Sequence, residues 1–132
     1  MKTIEVVAAI VVHEGEVLCV RRGPHKLPYI SEKWEFPGGK IEEGESAPQA
    51  LEREIAEELH RPITVGHLLT TVDHTYPDFR ILLHAYVCGT ADRRLTLTEH
   101  TEYRWLAAGQ LAGLDWAAAD LPIVDLLTRS PE

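Results

Sequence analysis

The chain has 132 residues, enough for one domain with a proper core and too few for two, since independent folding units usually run to roughly 100–150 residues. Thirteen Lys and Arg against twenty-one Asp and Glu leave a net charge of −8, which argues against nonspecific nucleic-acid binding through a basic face. Hydrophobic residues make up 45% of the chain, yet its longest apolar run, around Val6–Val12, falls far short of the ~20 residues that span a bilayer. Residues 1–132 therefore read as a single domain with no membrane partner. Met1-Lys2-Thr3-Ile4-Glu5 enters a strand-like pattern directly, without the regions of a signal peptide, so a cytoplasmic location is expected. Cys19 and Cys88 lie inside apolar runs and read as reduced core thiols rather than as a disulfide.

In chain order, Ile4–Val12 is apolar and β-branched, His13–Glu16 is a turn signal, and Val17–Arg22 returns as a second strand. Gly23–Lys33, with Pro24 and Pro28, is a loop. Trp34-Glu35-Phe36 is a short strand stopped by Pro37-Gly38-Gly39. The strongest helix runs from Ser46 to about Leu59: Ser46 and Gln49 have capping-box spacing, and Pro48 falls in the first turn. Leu51, Ile55 and Leu59 recur every four residues as its buried stripe. Strands are expected at Thr64–Asp73, Phe79–Cys88 and Tyr103–Leu106. Asp120 or a neighbour starts a closing helix through Leu127, with Pro122 in its first turn. Mixed strands with two helices, the longer in mid-chain, give a layered α/β domain, α+β in some schemes.

On the mid-chain helix, Glu54, Glu57 and Glu58 stand at i, i+3 and i+4, sharing a face expected roughly opposite the apolar stripe. These carboxylates repel one another, with only Arg53 and Arg61 nearby to offset them. Taken alone they fit either a solvated acidic face or a hard-cation site, because Mg²⁺ takes carboxylate oxygens and keeps waters and substrate phosphates as its other ligands. Gly38-Gly39 would let the backbone turn sharply and approach a ligand. The order is then Gly39, five residues, Glu45, seven residues, Arg53-Glu54-Ile55, one residue, Glu57-Glu58.

That order, GGKIEEGESAPQALEREIAEEL, resembles the Nudix box of the Nudix hydrolases. The resemblance implies an α/β/α sandwich around a mixed central sheet. It also implies cleavage of a nucleoside diphosphate linked to another group, by water attack at phosphorus with Mg²⁺ or Mn²⁺. Carried over residue by residue, Glu54, Glu57 and Glu58 are metal ligands together with the carbonyl of Gly38, and one of these glutamates or Glu99 is the general base. Arg53 is expected to orient a glutamate, and Glu45, with Gly39 beside it, to support the junction of loop and helix. The likeness departs at its end, where His60-Arg61 stands in place of Gly and an aliphatic residue. The exit turn is therefore expected to hold His60 in a left-handed conformation.

Outside the box the chain is similar to the MutT-like branch that takes free nucleoside triphosphates, through Cys19-Val20-Arg21-Arg22, Trp34-Glu35-Phe36-Pro37-Gly38-Gly39 and Ala119-Asp120-Leu121-Pro122. The resemblance implies phosphate contacts from Arg22 and Lys40, and metal contact from Glu99. It implies base contacts from Phe36, Arg80 and Asp120. Asp120 stands where MutT has an asparagine and matches the CTP pyrophosphohydrolase-like members. Ionised, it accepts hydrogen bonds only and suits cytosine N4; it suits equally an N-cap of the last helix. The implied reaction is nucleoside triphosphate plus water to monophosphate plus diphosphate, a nucleotide-pool housekeeping role linked to DNA repair. The base is cytosine (CTP, dCTP or a 5-substituted form) or that of 8-oxo-dGTP, and the enzyme is a monomer or homodimer. The alternatives are a silent Nudix-fold binding module, disfavoured because every box glutamate is kept, and a hydrolase of another nucleoside diphosphate derivative. The seven histidines show no zinc spacing, and Trp34, Trp105 and Trp116 read as core or pocket wall.

Overall fold

In the computed structural model, which describes residues 1–129, the N-terminal apolar run becomes β1 (Thr3–His13), the spine of one mixed sheet. Val7 to Val11 are almost wholly buried because both faces of this strand are covered. Along one edge β6 (Arg80–Gly89) runs parallel to it, from Thr3 opposite Arg80 to Val12 opposite Gly89. β5 (Thr64–Thr75) adds antiparallel beyond β6.

The other edge of β1 is divided. Its far end turns through Glu14-Gly15 into β2 (Glu16–Arg22), pairing at Val12–Val17 and His13–Glu16, while Val6–Ala8 pair with β4 (Gly38–Lys40). Beyond the hairpin β2 takes β3 (Trp34–Glu35) and β7 (His100–Leu106) as its partners. The sheet thus opens between β1 and β2, and a cavity occupies the opening.

Alternation along β1 divides the core into two layers. Val7, Ala9 and Val11 pack with Leu18, Val20 and Cys88 under α1 (Ala47–Leu59). Ala8 and Ile10 pack with Cys19, Trp34, Phe36 and Trp116 under α2 (Leu121–Arg129) and the 3-10 turns at 108–113 and 118–120. The result is the expected helix–sheet–helix sandwich. Both cysteines are free and buried, and burial pushes their thiols up to about 12 at Cys19 and about 11 at Cys88.

α1 forms as its sequence specifies. Ser46 Oγ accepts from the Gln49 N–H (3.2 Å) and Gln49 Oε1 accepts from the Ser46 N–H (2.9 Å). Leu51, Ile55 and Leu59 are fully buried. His60 ends the helix left-handed at φ 52°, its N–H bonded to the Ala56 carbonyl.

Two expectations need correction. Gly38-Gly39 is not a sharp turn: it is part of β4, and neither glycine has a positive φ. Glycine is required there by close approach, since a Cβ on Gly38 would lie 1.9 Å from the Val7 carbonyl oxygen. β7 begins at His100, three residues before the expected start, because β2 offers it an edge. The last helix starts beside Asp120 as expected, at Leu121, with Asp120 in the preceding 3-10 turn.

Candidate active site

The cavity at the β1/β2 opening has a volume of about 480 Å³ and an acidic end beneath α1. Glu54 and Glu58 enter it from the helix, Gly38 and Gly39 from β4, and Glu99 from the loop before β7. Glu99 arrives there because its neighbour seals the end of α1. Thr98 donates its N–H to the Glu58 carbonyl (3.1 Å) and its hydroxyl to the Glu57 and Glu58 carbonyls, and Thr96 N–H reaches Leu59 (2.9 Å). These are helix-end carbonyls with no partner inside the helix.

The acidic face is not opposite the apolar stripe, as expected, but flanks it. Glu58 lies three residues after Ile55 and seven after Leu51, so it turns inward and is only 5% exposed. Glu57, by contrast, stays at the surface. Arg53 ties the group together. Its guanidinium donates to Glu45 (2.7 and 2.9 Å), Glu54 (3.1 Å), Glu57 (3.2 Å) and the Lys40 carbonyl (3.1 Å). Glu45 also accepts the Glu42 N–H, and these bonds draw its carboxyl down to about 2. Helix, β4 and the intervening loop are thereby locked in one register.

Glu58 has no such partner. Its Oε1 is buried with no hydrogen-bond partner, and burial, with the charges of Glu54, Glu35 and Glu99, pushes its carboxyl up to about 9. An unsatisfied buried carboxylate among other carboxylates is costly unless a cation joins it. The oxygens of Glu54, Glu58, Glu99 and the Gly38 carbonyl are the hard donors that a divalent ion such as Mg²⁺ takes. Among the described residues no three acidic, His or Cys side chains are drawn together as tightly as a metal would hold them, with Arg53 holding Glu54 and Glu57 instead.

The opposite end of the cavity is apolar, walled by Ile4, Val6, Phe36 and Leu83. Phe36 packs on Trp116 with ring centroids 4.6 Å apart, so it is both core and wall. Asp120 closes this end, 6% exposed, with Oδ1 accepting the Phe36 N–H at 3.4 Å. Burial, then the charge of Glu35, raises its pKa well above the ordinary range. Burial therefore works against the ionised acceptor expected from the sequence and favours the neutral acid, which donates as well as accepts. Its carboxyl faces β3 rather than capping the helix that follows.

Of the remaining candidates, Arg22 and Lys40 line the cavity between its two ends. Arg80 does not. It alternates with Ile81, which faces the cavity, so its side chain emerges on the other face of β6, where Asp73 holds the guanidinium at 2.8 and 2.6 Å. Three cavity residues were not anticipated. Tyr76 accepts the Ala119 N–H on its hydroxyl (2.9 Å) and so fixes the turn carrying Asp120. Glu35 lies within the cavity wall between Trp34 and Phe36, and the alternation of that Trp-Glu-Phe run was the available signal. His100 is bonded to Glu35, and no local pattern marks it.

Comparison with known proteins agrees with this geometry. The family model described as NUDIX domain matches residues 1–127. CTP pyrophosphohydrolase of Escherichia coli K12 is 36% identical over 128 residues, covering 95% of this chain and 91% of that protein. 8-oxo-dGTP diphosphatase of Proteus vulgaris is 34% identical over 95 residues, 72% of this chain and 84% of that protein. Among solved structures, the MutT protein from Methanosarcina mazei Go1 superposes with a TM-score of 0.88 at 25% identity, covering 99% of this chain and 96% of that one.

Proposed function

This chain belongs to the Nudix family and is a MutT-like hydrolase, and from that premise we propose that it converts a nucleoside triphosphate and water to the monophosphate and diphosphate in the cavity between β1 and β2. One observation carries the reading: a single cavity joins an acidic end holding Glu54, Glu58 and Glu99 to an apolar end closed by Asp120. The triphosphate lies toward the acids, with Arg22 and Lys40 against its oxygens, and the base stacks on Phe36.

Nudix hydrolases need divalent metal ions, and Mg²⁺ is the ion proposed here, with Mn²⁺ as a substitute. Glu54, Glu58, Glu99 and the Gly38 carbonyl would hold it, with Glu57 joining from the rim. The ion would supply positive charge to the phosphates and lower the pKa of the attacking water. Arg53 keeps Glu54 and Glu57 aimed through its hydrogen bonds to both. The enzyme works on the cytoplasmic nucleotide pool. Chelation should abolish turnover while circular dichroism stays unchanged, because Leu51, Ile55 and Leu59 hold α1 without the ion. Added Mg²⁺ should raise the melting temperature by binding only the folded form. Unfolding on chelation would make the site structural and remove the enzyme reading.

For the base we propose cytosine. Asp120 Oδ1 accepts the Phe36 N–H, and in the proposed neutral acid the proton sits on Oδ2. A base edge with an acceptor beside an amino group, as cytosine N3 and N4 present, then meets O–H and C=O in order. Uracil must shift by one atom to do the same. CTP or dCTP should therefore exceed UTP by about one decade in kcat/KM, at the low end of the roughly 1–3 kcal/mol for an unpaired buried group. Asp120→Asn keeps one donor and one acceptor and should stay within about fivefold, whereas Asp120→Ala should lose one to two decades. The sign with pH follows from the raised pKa: wild-type KM rises as increasing pH ionises Asp120, and the Asn variant does not share that rise. The deciding measurement is diphosphate release across canonical, oxidised and methylated triphosphates. If 8-oxo-dGTP exceeds every cytosine nucleotide by a decade or more, the base assignment passes to oxidised guanine.

A further inference from the structure

The register of β2 against β7 is broken once, beside the cavity. Arg21 pairs with Glu102, but Arg22 pairs with His100, so Thr101 is the extra residue of a β-bulge. Thr101 turns its hydroxyl to the Arg21 carbonyl at 3.4 Å. Without the bulge, alternation would send His100 to the α2 side of the sheet. The bulge instead places it on the α1 side, with Arg22 and with Glu35, whose backbone pairs with Val20.

There the three side chains form a chain of contacts. His100 Nε2 meets Glu35 Oε2 at 3.0 Å, and Glu35 Oε1 meets the Arg22 guanidinium at 3.5 Å. All three line the cavity. Their exposure is graded, with side-chain values of 5% for His100, 21% for Glu35 and 45% for Arg22. The inner member is enclosed and the outer one is open to a ligand. Arg22 is anchored at its backbone, where its N–H donates to the Lys33 carbonyl (3.0 Å), and Glu35 is its only acidic partner among the described residues. A carboxylate at position 35 adds to a cavity that already holds Glu54, Glu58 and Glu99, so it gains nothing from its neighbours except through Arg22 and His100.

We propose that His100 is a positioning residue that acts through Glu35 to hold the Arg22 guanidinium against the substrate phosphates. This rests on the triphosphate reading above for the identity of the ligand. His100 donates from Nε2, Glu35 accepts on one oxygen, and the other oxygen restrains a side chain whose rotamer freedom would otherwise be lost on binding.

The test is a double-mutant cycle of His100→Ala and Arg22→Ala, read by CTP hydrolysis and by calorimetric affinity for inorganic tripolyphosphate with Mg²⁺. His100→Ala should raise KM about tenfold with kcat changed by no more than about threefold, and weaken tripolyphosphate by a similar factor. His100→Gln, whose amide also donates, should recover most of the loss. The double variant should be no worse than Arg22→Ala alone. Additive losses, a fall in kcat at constant KM, or a Gln variant as poor as the Ala variant would overturn the proposal. If His100→Ala does not fold, Glu35→Gln replaces it in the same cycle with the same expected coupling. A wild-type enzyme that hydrolyses no nucleoside triphosphate would remove the substrate reading alone, and the tripolyphosphate arm would still decide the role of His100.

Discussion

Glu58→Gln should reduce kcat by a factor on the order of a hundred to a thousand while making the metal-free protein more stable at alkaline pH. The two effects have one cause. Glu58 is 5% exposed, its Oε1 has no partner, and its carboxyl is pushed up to about 9 from the ordinary 4.5. Between those values the folded state binds the proton that the unfolded state releases. Stability is therefore fully present below about pH 4.5 and is lost as pH rises through about 9. Glutamine keeps the volume and never ionises, so thermal melts of the variant should lack that loss. It also removes a ligand, so Mg²⁺ should no longer raise its melting temperature as it does for wild type. Glu57→Gln should share the loss of turnover and not the gain in stability, because Glu57 is at the surface and held by Arg53. A Glu58→Gln enzyme with nearly full activity, or one that still melts lower as pH rises, would contradict the assignment.

The paired glycines should separate fold from catalysis. A Cβ on Gly38 meets the Val7 carbonyl oxygen at 1.9 Å, its carbon at 2.8 Å and Ala8 Cα at 2.9 Å, all backbone of the central strand. Nothing there yields without parting β4 from β1, so Gly38→Ala should cost at least about 3 kcal/mol and lower the melting temperature by about 10 °C or more. The nearest atoms to a Cβ on Gly39 are the end of Glu54, with Cδ at 2.4 Å and both Oε atoms at 2.6 Å. That flexible side chain can swing away. Gly39→Ala should therefore melt within a few degrees of wild type yet lose about tenfold to a hundredfold in kcat, since an ångström of misplacement at a catalytic group is enough. Equal melting temperatures for the two variants would show that the β1–β4 pairing does not hold in solution.

The parts of this protein that depend on near neighbours in the chain were legible in its sequence. The capping box at Ser46, the Leu51/Ile55/Leu59 stripe and the left-handed exit at His60 are each set within about two helical turns, and the glycine-to-glutamate spacing is read along a single stretch of chain. The order of residues from Gly38 to Glu58 was enough to name the family and to nominate the acids of the candidate site. Two readings extended a local rule past its range. The acidic face was drawn on an isolated helix, and Glu58 turned out to be buried because β4 and the loop before β7 close over that flank. Asp120 carries a charge in water, and a pocket assembled by Phe36, Tyr76 and the 3-10 turn buries it and raises its pKa.

Other features required the tertiary structure outright. The steric need for Gly38 comes from Val7, thirty-one positions earlier, and the face taken by Arg80 from the register of β6 against β1. The meeting of Arg22, Glu35 and His100 depends on one extra residue in a strand pair, and a shift of one residue changes the face of every side chain beyond it. Sequence determined the chemistry available to this protein, because periodicity and capping act between residues a turn apart. Tertiary structure decided which of those groups are buried, neutral and within reach of one another, because burial and pKa depend on residues that only folding brings together.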